Sequence, residues 1–190
     1  MSRIQSPPAV KFFLAAFGQD SKLLDAAVKR LTQGFSEASL GPVDVQSRDF
    51  PFDETKYYSK EMGEGLVKRY LSWTNLLTPD KLVPLKLLAM DLEHSFSESQ
   101  ARRVNLDPGY IFAGGLVLST GKFSGHRLYL GEGLWGELTL HYHHGNFRSF
   151  AWTYLDYQKP EVLEVLRLIR DTYFHQLTQM PASPRQPLQG

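Results

Sequence analysis

Three stretches hold most of the side chains with which this chain could do chemistry. Arg103, Asn105 and Asp107 alternate with apolar residues ahead of Pro108-Gly109. Alternate residues of an extended chain share a face, so a guanidinium, an amide and a carboxylate are expected together on one side of a strand. Lys122, His126 and Arg127 form a basic group in and after a Gly/Ser-rich loop. Such a loop offers backbone N–H groups and cations to an anion. His126 is the group best suited to move a proton near neutral pH. Glu137 sits inside the apolar run LWGELTL, and Asp156 closes WTYLDY.

The chemistry these types suit is anion binding with proton transfer. Lys122 and Arg127, with Arg103, Asn105 and Asp156, are candidate ligand-binding residues. His126, Glu137 and Asp107 are candidate catalytic ones, with an acid orienting the imidazole or holding Mg²⁺. Strict alternation puts His126 and Arg127 on opposite faces. His126 is therefore expected inward beside Lys122, at least two of the three cations lining the pocket, and Arg127 paired with an acid on the other face. Plainer readings stand beside these: an Asx-type turn at Asp107-Pro108-Gly109, and an ordinary charged loop at 119–127.

Other motifs fail on context. Gly131-x-Gly133-x-x-Gly136 matches a dinucleotide fingerprint, but that site needs a helix after the glycines, and ELTLHY reads as a strand. A glycine-rich hairpin loop is expected there. Gly115 to Lys122 resembles a P-loop, yet it is one residue too long and Phe123 stands where a magnesium-binding hydroxyl belongs. His141-x-His143, with Glu137 four residues back, could share a strand face and hold zinc. The preferred reading is a solvated histidine-rich strand end without metal. There is no G-x-S-x-G, and no RNP1-like run of aromatics for RNA. No cofactor is indicated.

The bulk numbers suit one globular domain. The chain has 190 residues, 42% hydrophobic and 13% aromatic, with a formal net charge of +1 and no cysteine. The charge lacks the concentrated basic face that duplex nucleic acid calls for. The absence of cysteine excludes disulfides and thiolate chemistry, and fits a reducing cytoplasm. No run approaches the ~20 apolar residues of a membrane helix. A cytoplasmic protein without a membrane partner is expected. Its expected organisation is a flexible lead at 1–9, a single domain over 10–178, and a disordered tail rich in Pro, Gln and Ser over 179–190.

Periodicity supplies the elements that must position the site. KFFLAAF is a strand buried on both faces. Leu24, Val28, Leu31 and Phe35 mark a helix over 21–35, with Asp20 or Ser21 as cap. Strands are expected at 43–50 and 66–73. Thr78-Pro79-Asp80 opens a helix to about 96, with Pro84 forcing a kink or a late start. Strands at 103–107, 110–119, 126–130, 136–143 and 148–154 precede a helix over 160–178. The fold class is α+β: a mainly antiparallel sheet with three helices on one face. Its first six elements stand in ferredoxin-like βαββαβ order, followed by a β-meander and the C-terminal helix.

Five segments carry a resemblance: Pro51 to Gly63, Arg102 to Ile111, Leu116 to Leu130, Gly136 to Leu140, and Trp152 to Tyr157. Over about Val10 to Leu177 the chain resembles the bacterial family catalogued as domain of unknown function 4416. That resemblance implies a compact cytoplasmic bacterial protein. Two positions depart from its pattern: Ala89-Met90 stands where relatives show Thr-Asn, and the loop Ser119 to Arg127 where they show S-T-K-x-x-S-H-R. Lys122 and His126-Arg127 survive the comparison, whereas His141-x-His143 is outside the pattern.

The function expected is a site for a small anionic or nucleotide-type ligand on a polar sheet face. The alternative is an interaction or assembly module using Tyr57, Tyr58, Trp73, Trp135 and Trp152. A carboxylate at Glu137 inside an apolar strand needs a partner. Glu137→Ala is therefore expected to cost about 3–5 kcal/mol in denaturant melts if it strands a buried cation. A change under about 0.5 kcal/mol would mark a surface site.

Overall fold

KFFLAAF is apolar throughout because its strand has neighbours on both edges and cover on both faces. In the computed structural model, which describes residues 4–52, 58, 61–99 and 101–180, β1 (Val10–Gly18) lies between β4 (Val67–Leu77) and β5 (Val104–Phe112). The described strands form one antiparallel sheet in the order β2-β4-β1-β5-β6-β8-β7. The remaining members are β2 (Val43–Gln46), β6 (Gly115–Thr120), β7 (Leu128–Gly131) and β8 (Leu134–His143). Two short strands lie off this path: β3 (Phe50–Pro51) on β4 and β9 (Asn146–Ser149) on β8.

The α+β class is as expected. The six-element order is not reproduced element for element, because β3 interrupts the β2–β4 connection and the sheet continues past β5. Nor is the second half a plain meander: β8 enters between β6 and β7.

The helices cover both faces of the sheet, not one. α1 (Ser21–Gly34) and α2 (Leu82–Ser95) pack with Phe12, Leu14 and Ala16 of β1. α3 (Pro160–Gln179) sends Val162, Leu166 and Ile169 to the opposite face, against Phe13 and Ala15. Asp20 caps α1 by accepting from the Leu23 N–H at 2.8 Å. α2 starts late, after a 3-10 turn at Pro79–Lys81, so Pro84 falls in its first turn, where an N–H has no helical partner. Thr78 makes no side-chain cap bond.

Pro108-Gly109, expected to turn the chain, lies inside β5; the turn comes at Ala113-Gly114. Pro108 is tolerated because β5 pairs with β6 only from Gly109 onward, so the missing donor falls on an edge without a strand. Gly109 is there for space: a Cβ would lie 2.4 Å from the Val117 carbonyl oxygen and 2.7 Å from the Phe13 ring. The expected tail lies outside the described residues from 181 onward. Of the described helices, none is long and apolar enough to cross a membrane.

Gly109→Ala should lower stability by at least about 1–3 kcal/mol in urea melts, the cost of overpacking. Gly125→Ala, whose Cβ would meet nothing within 4 Å, should change it by less than about 0.5 kcal/mol.

Candidate functional site

Beyond Gly109↔Leu118, β5 and β6 part. Among the described residues, 104–108 then keep β1 on one side and have no strand on the other. The exposed backbone groups are met by side chains instead. Glu93 of α2 accepts from the Leu106 N–H at 2.7 Å, Lys86 of α2 donates to the Leu106 carbonyl at 2.8 Å, and Ser119 donates to the Pro108 carbonyl at 2.8 Å. The parting opens a cavity of about 660 Å³.

One wall is aromatic: Phe17, Phe52, Tyr58 and Tyr157. The polar wall comes from Asn105 and Asp107 of β5, Lys86 and Glu93 of α2, Arg102 just before β5, and Glu137 of β8. Residues 119–122, from the end of β6 through Lys122, form a rim. Asp156 and Tyr157 enter on the 3-10 turn Leu155–Gln158. Five expected residues thus meet here: Asn105, Asp107, Lys122, Glu137 and Asp156.

The lining is a chain of matched charges. Lys86 lies 3.0 Å from Asp107 and 3.8 Å from Glu93. Asn105 donates to Asp107 at 2.7 Å and accepts from Arg102 at 3.0 Å. Arg102 makes two 2.8 Å bonds to Glu61. Lys68 pairs with Asp156 at 2.5 Å, and the Tyr70 hydroxyl donates to the same oxygen at 2.7 Å. Burial favours the neutral form of Asp107, but the charges of Lys86 and Lys68 outweigh it and hold its carboxyl below the ordinary value. Burial raises Glu93. Burial also works against the Lys86 ammonium, yet Asp107 and Glu93 together raise it. The Arg102 hydrogen bonds hold Glu61 low.

Glu137 is buried, 1% exposed. His126 Nε2 is 2.9 Å and Arg127 Nε 2.8 Å from the same Glu137 oxygen. The expectation that these two side chains face opposite ways fails because residues 121–127 are not extended; β7 begins only at Leu128. His126 stands behind Glu137, stacked on Trp152 at 4.8 Å with Ser124 at its Nδ1. Neither His126 nor Arg127 lines the cavity; of the three basic-loop residues only Lys122 does. Arg103 also turns away, to Glu98 at 3.4 Å. Its neighbour Arg102 takes the inward place.

The β7–β8 hairpin is present, but its turn is only Glu132-Gly133: Gly131 ends β7 and Leu134 to Gly136 already belong to β8, so the expected six-residue loop is shorter, with positive φ at Gly131, Glu132 and Gly133. A register shift in β8 opposite Leu116/Val117 adds one residue between Leu138 and Leu140. Glu137 and His141 therefore fall on opposite faces, against the shared face expected. Among the described residues no group of three or more His, Asp or Glu could hold a metal ion.

Lys68, Lys86, Glu93, Arg102 and Tyr157 were missed by sequence reasoning. For two of them a signal existed. Lys86 and Glu93 continue the buried stripe Leu82, Ala89 of α2, and charges on an apolar helical stripe call for buried partners.

Lys86→Met would leave Asp107 and Glu93 buried without their shared cation, at an expected cost of about 3–5 kcal/mol at pH 7. In the wild type the depressed Asp107 contributes stability above the unfolded carboxyl pKa, lost as pH falls through its folded value. In the variant both carboxyls should titrate high, so the penalty should shrink on acidification. Urea melts from pH 7 to 4 check this; a pH-independent penalty would contradict the pairing.

No curated protein matches the chain. The family model described as "Domain of unknown function (DUF4416)" matches residues 8–173, a span that takes in β1 through most of α3 and every cavity-lining residue named above. The chain therefore belongs to the DUF4416 family.

Proposed function

We propose that the cavity binds a small nucleotide-type molecule, a planar ring carrying an anionic group. The carrying observation is the convergence, in one space of about 660 Å³, of an aromatic wall, a polar wall and the 119–122 rim. That volume is ordinary for a small-molecule site, where apolar walls give affinity and a few polar groups give orientation. The ring lies against Phe17, Phe52, Tyr58 and Tyr157. The anionic group meets Lys122 and the neighbouring backbone. Asn105, Asp107 and Asp156 meet the polar edges between them.

Glu137 is the acid that touches the ligand, and His126 acts on it from behind, so proton transfer involving His126 passes through Glu137. Arg127 holds Glu137 in place, while Arg103 has no ligand role. The setting we take is the bacterial cytoplasm.

A second reading, an interaction module, is favoured by Phe123, Leu128 and Tyr129, which stand exposed at the β7 edge. Of the aromatics first expected to serve it, Trp152 is exposed and Trp73 fully buried, while Tyr57 lies outside the described residues.

The test is calorimetry and thermal shift with AMP, IMP, UMP and CMP and the matching nucleosides, since a ligand preferring the native state raises its stability. Lys122→Ala should weaken a bound monophosphate about tenfold, the size of one charge-assisted hydrogen bond, and leave the nucleoside unchanged. No binding by any of them would sink the reading and favour the interaction module.

A further inference from the structure

The geometry points to Tyr157 as the donor that reads a carbonyl (oxo) oxygen on the ligand's ring, with Lys68 beside it as a second donor. This rests on the nucleotide-type reading above and names the group that the cavity's inner end selects.

Tyr157 is 2% exposed, lines the cavity and keeps its hydroxyl out of solvent. Its hydroxyl has no hydrogen-bond partner among the described residues. Buried hydroxyls are nearly always bonded, and an exception calls for a cause such as an absent ligand. The neighbouring ring makes the contrast. Tyr70, packed edge-on to Tyr157 at 5.5 Å, spends its hydroxyl on Asp156. That acid oxygen also takes Lys68, so it is already shared by two donors.

Lys68 has three N–H donors and no acceptor. Among the described residues one hydrogen bond is made, to Asp156. The rings of Phe17, Phe52, Tyr70 and Tyr157 surround the ammonium at 4.8–5.5 Å. Such faces attract the charge but leave donor capacity for a ligand oxygen. Burial first, then the charges of Asp156 and Asp107, keep the proton on the Tyr157 hydroxyl. It thus stays a donor at every working pH.

The oxygen it meets is a ring carbonyl rather than the anionic group. Asp156, Asp107 and Glu137 are each matched by a cation of the fold, so this end offers donors without a net positive field. The flanking rings suit a planar neighbour. An exocyclic amino group would set its own N–H against Lys68, a donor with nothing to accept it.

The probes are two matched pairs, IMP against AMP and UMP against CMP, which exchange oxo for amino at one ring position in a purine and in a pyrimidine. By calorimetry the wild type should bind at least one oxo member about tenfold more tightly than its amino partner; the pair that shows it tells purine from pyrimidine. Tyr157→Phe should lose most of that preference while its unliganded Tm stays level or rises, because the deleted hydroxyl makes no bond among the described residues. Equal affinities within both pairs in the wild type would overturn the assignment without recourse to a variant. So would wild-type binding by Tyr157→Phe, or a lowered Tm with unchanged binding, the mark of a hydroxyl bonded to structural water. No binding by any of the four would remove the nucleotide-type reading itself and this inference with it, a result distinct from binding without preference.

Discussion

Backbone N–H and C=O groups taken out of water must find partners, and the first half of β5 leaves water with a strand on only one side. Helix α2 supplies the answer with Lys86 and Glu93, which bond the carbonyl and the N–H of Leu106. This substitution sets much of the site. It requires a cation and an anion at buried helix positions, and it lets β6 diverge from β5. It also tolerates Pro108, whose absent donor would have broken a ladder there. The cavity is the space that a continuous β5–β6 ladder would have closed.

Once Lys86 and Glu93 are buried, the remaining charges are constrained in turn. A buried charge without a partner costs several kcal/mol, so each acid on the polar wall has a cation against it: Asp107 with Lys86, Asp156 with Lys68, Glu137 with Arg127. The same rule holds away from the cavity. Lys11, fully buried in β1, is held by Asp44 and Gln176. In the cavity the pairing leaves donors and acceptors in fixed positions with little net charge. Such a lining suits recognition by hydrogen-bond pattern and shape more than by bulk attraction.

The helices were legible because each carries a single period over many residues, as Leu24, Val28 and Leu31 do in α1, and β1 because its run is apolar throughout. So was the need for a partner at Glu137, since an unpaired carboxylate inside the apolar run LWGELTL would be costly. What escaped were departures from period that depend on tertiary neighbours. Pro108-Gly109 carries the dipeptide of a turn, but a half-empty edge and the Phe13 ring explain it. The extra residue in β8 reverses the face of His141 relative to Glu137, and nothing local announces it. Arg102 and Arg103 are adjacent and alike, and which one faces in is settled by Glu61 and Glu98. Lys68, Lys86 and Asp156 are distant in sequence, so their meeting depends on the sheet order. The three helices were placed correctly, yet α3 on the far face could not be inferred from its own apolar stripe, which fits either side.

Arg127 shows how the outer layer fixes the inner one. Its guanidinium donates to Glu137, to the Lys122 carbonyl at 2.8 Å and to the Tyr154 hydroxyl at 3.1 Å. All three recipients line the cavity, although Arg127 does not. One planar fork, with donors in fixed directions, thus ties the rim, the polar wall and the segment that carries Asp156 and Tyr157. His126 backs the same carboxylate from the other flank. Groups held this way need little ordering when a ligand arrives, which removes a cost that would otherwise be subtracted from affinity. The basic loop was expected to contact a ligand directly. Its geometry puts Lys122 on the cavity lining and leaves His126 and Arg127 bonded to Glu137 from outside it.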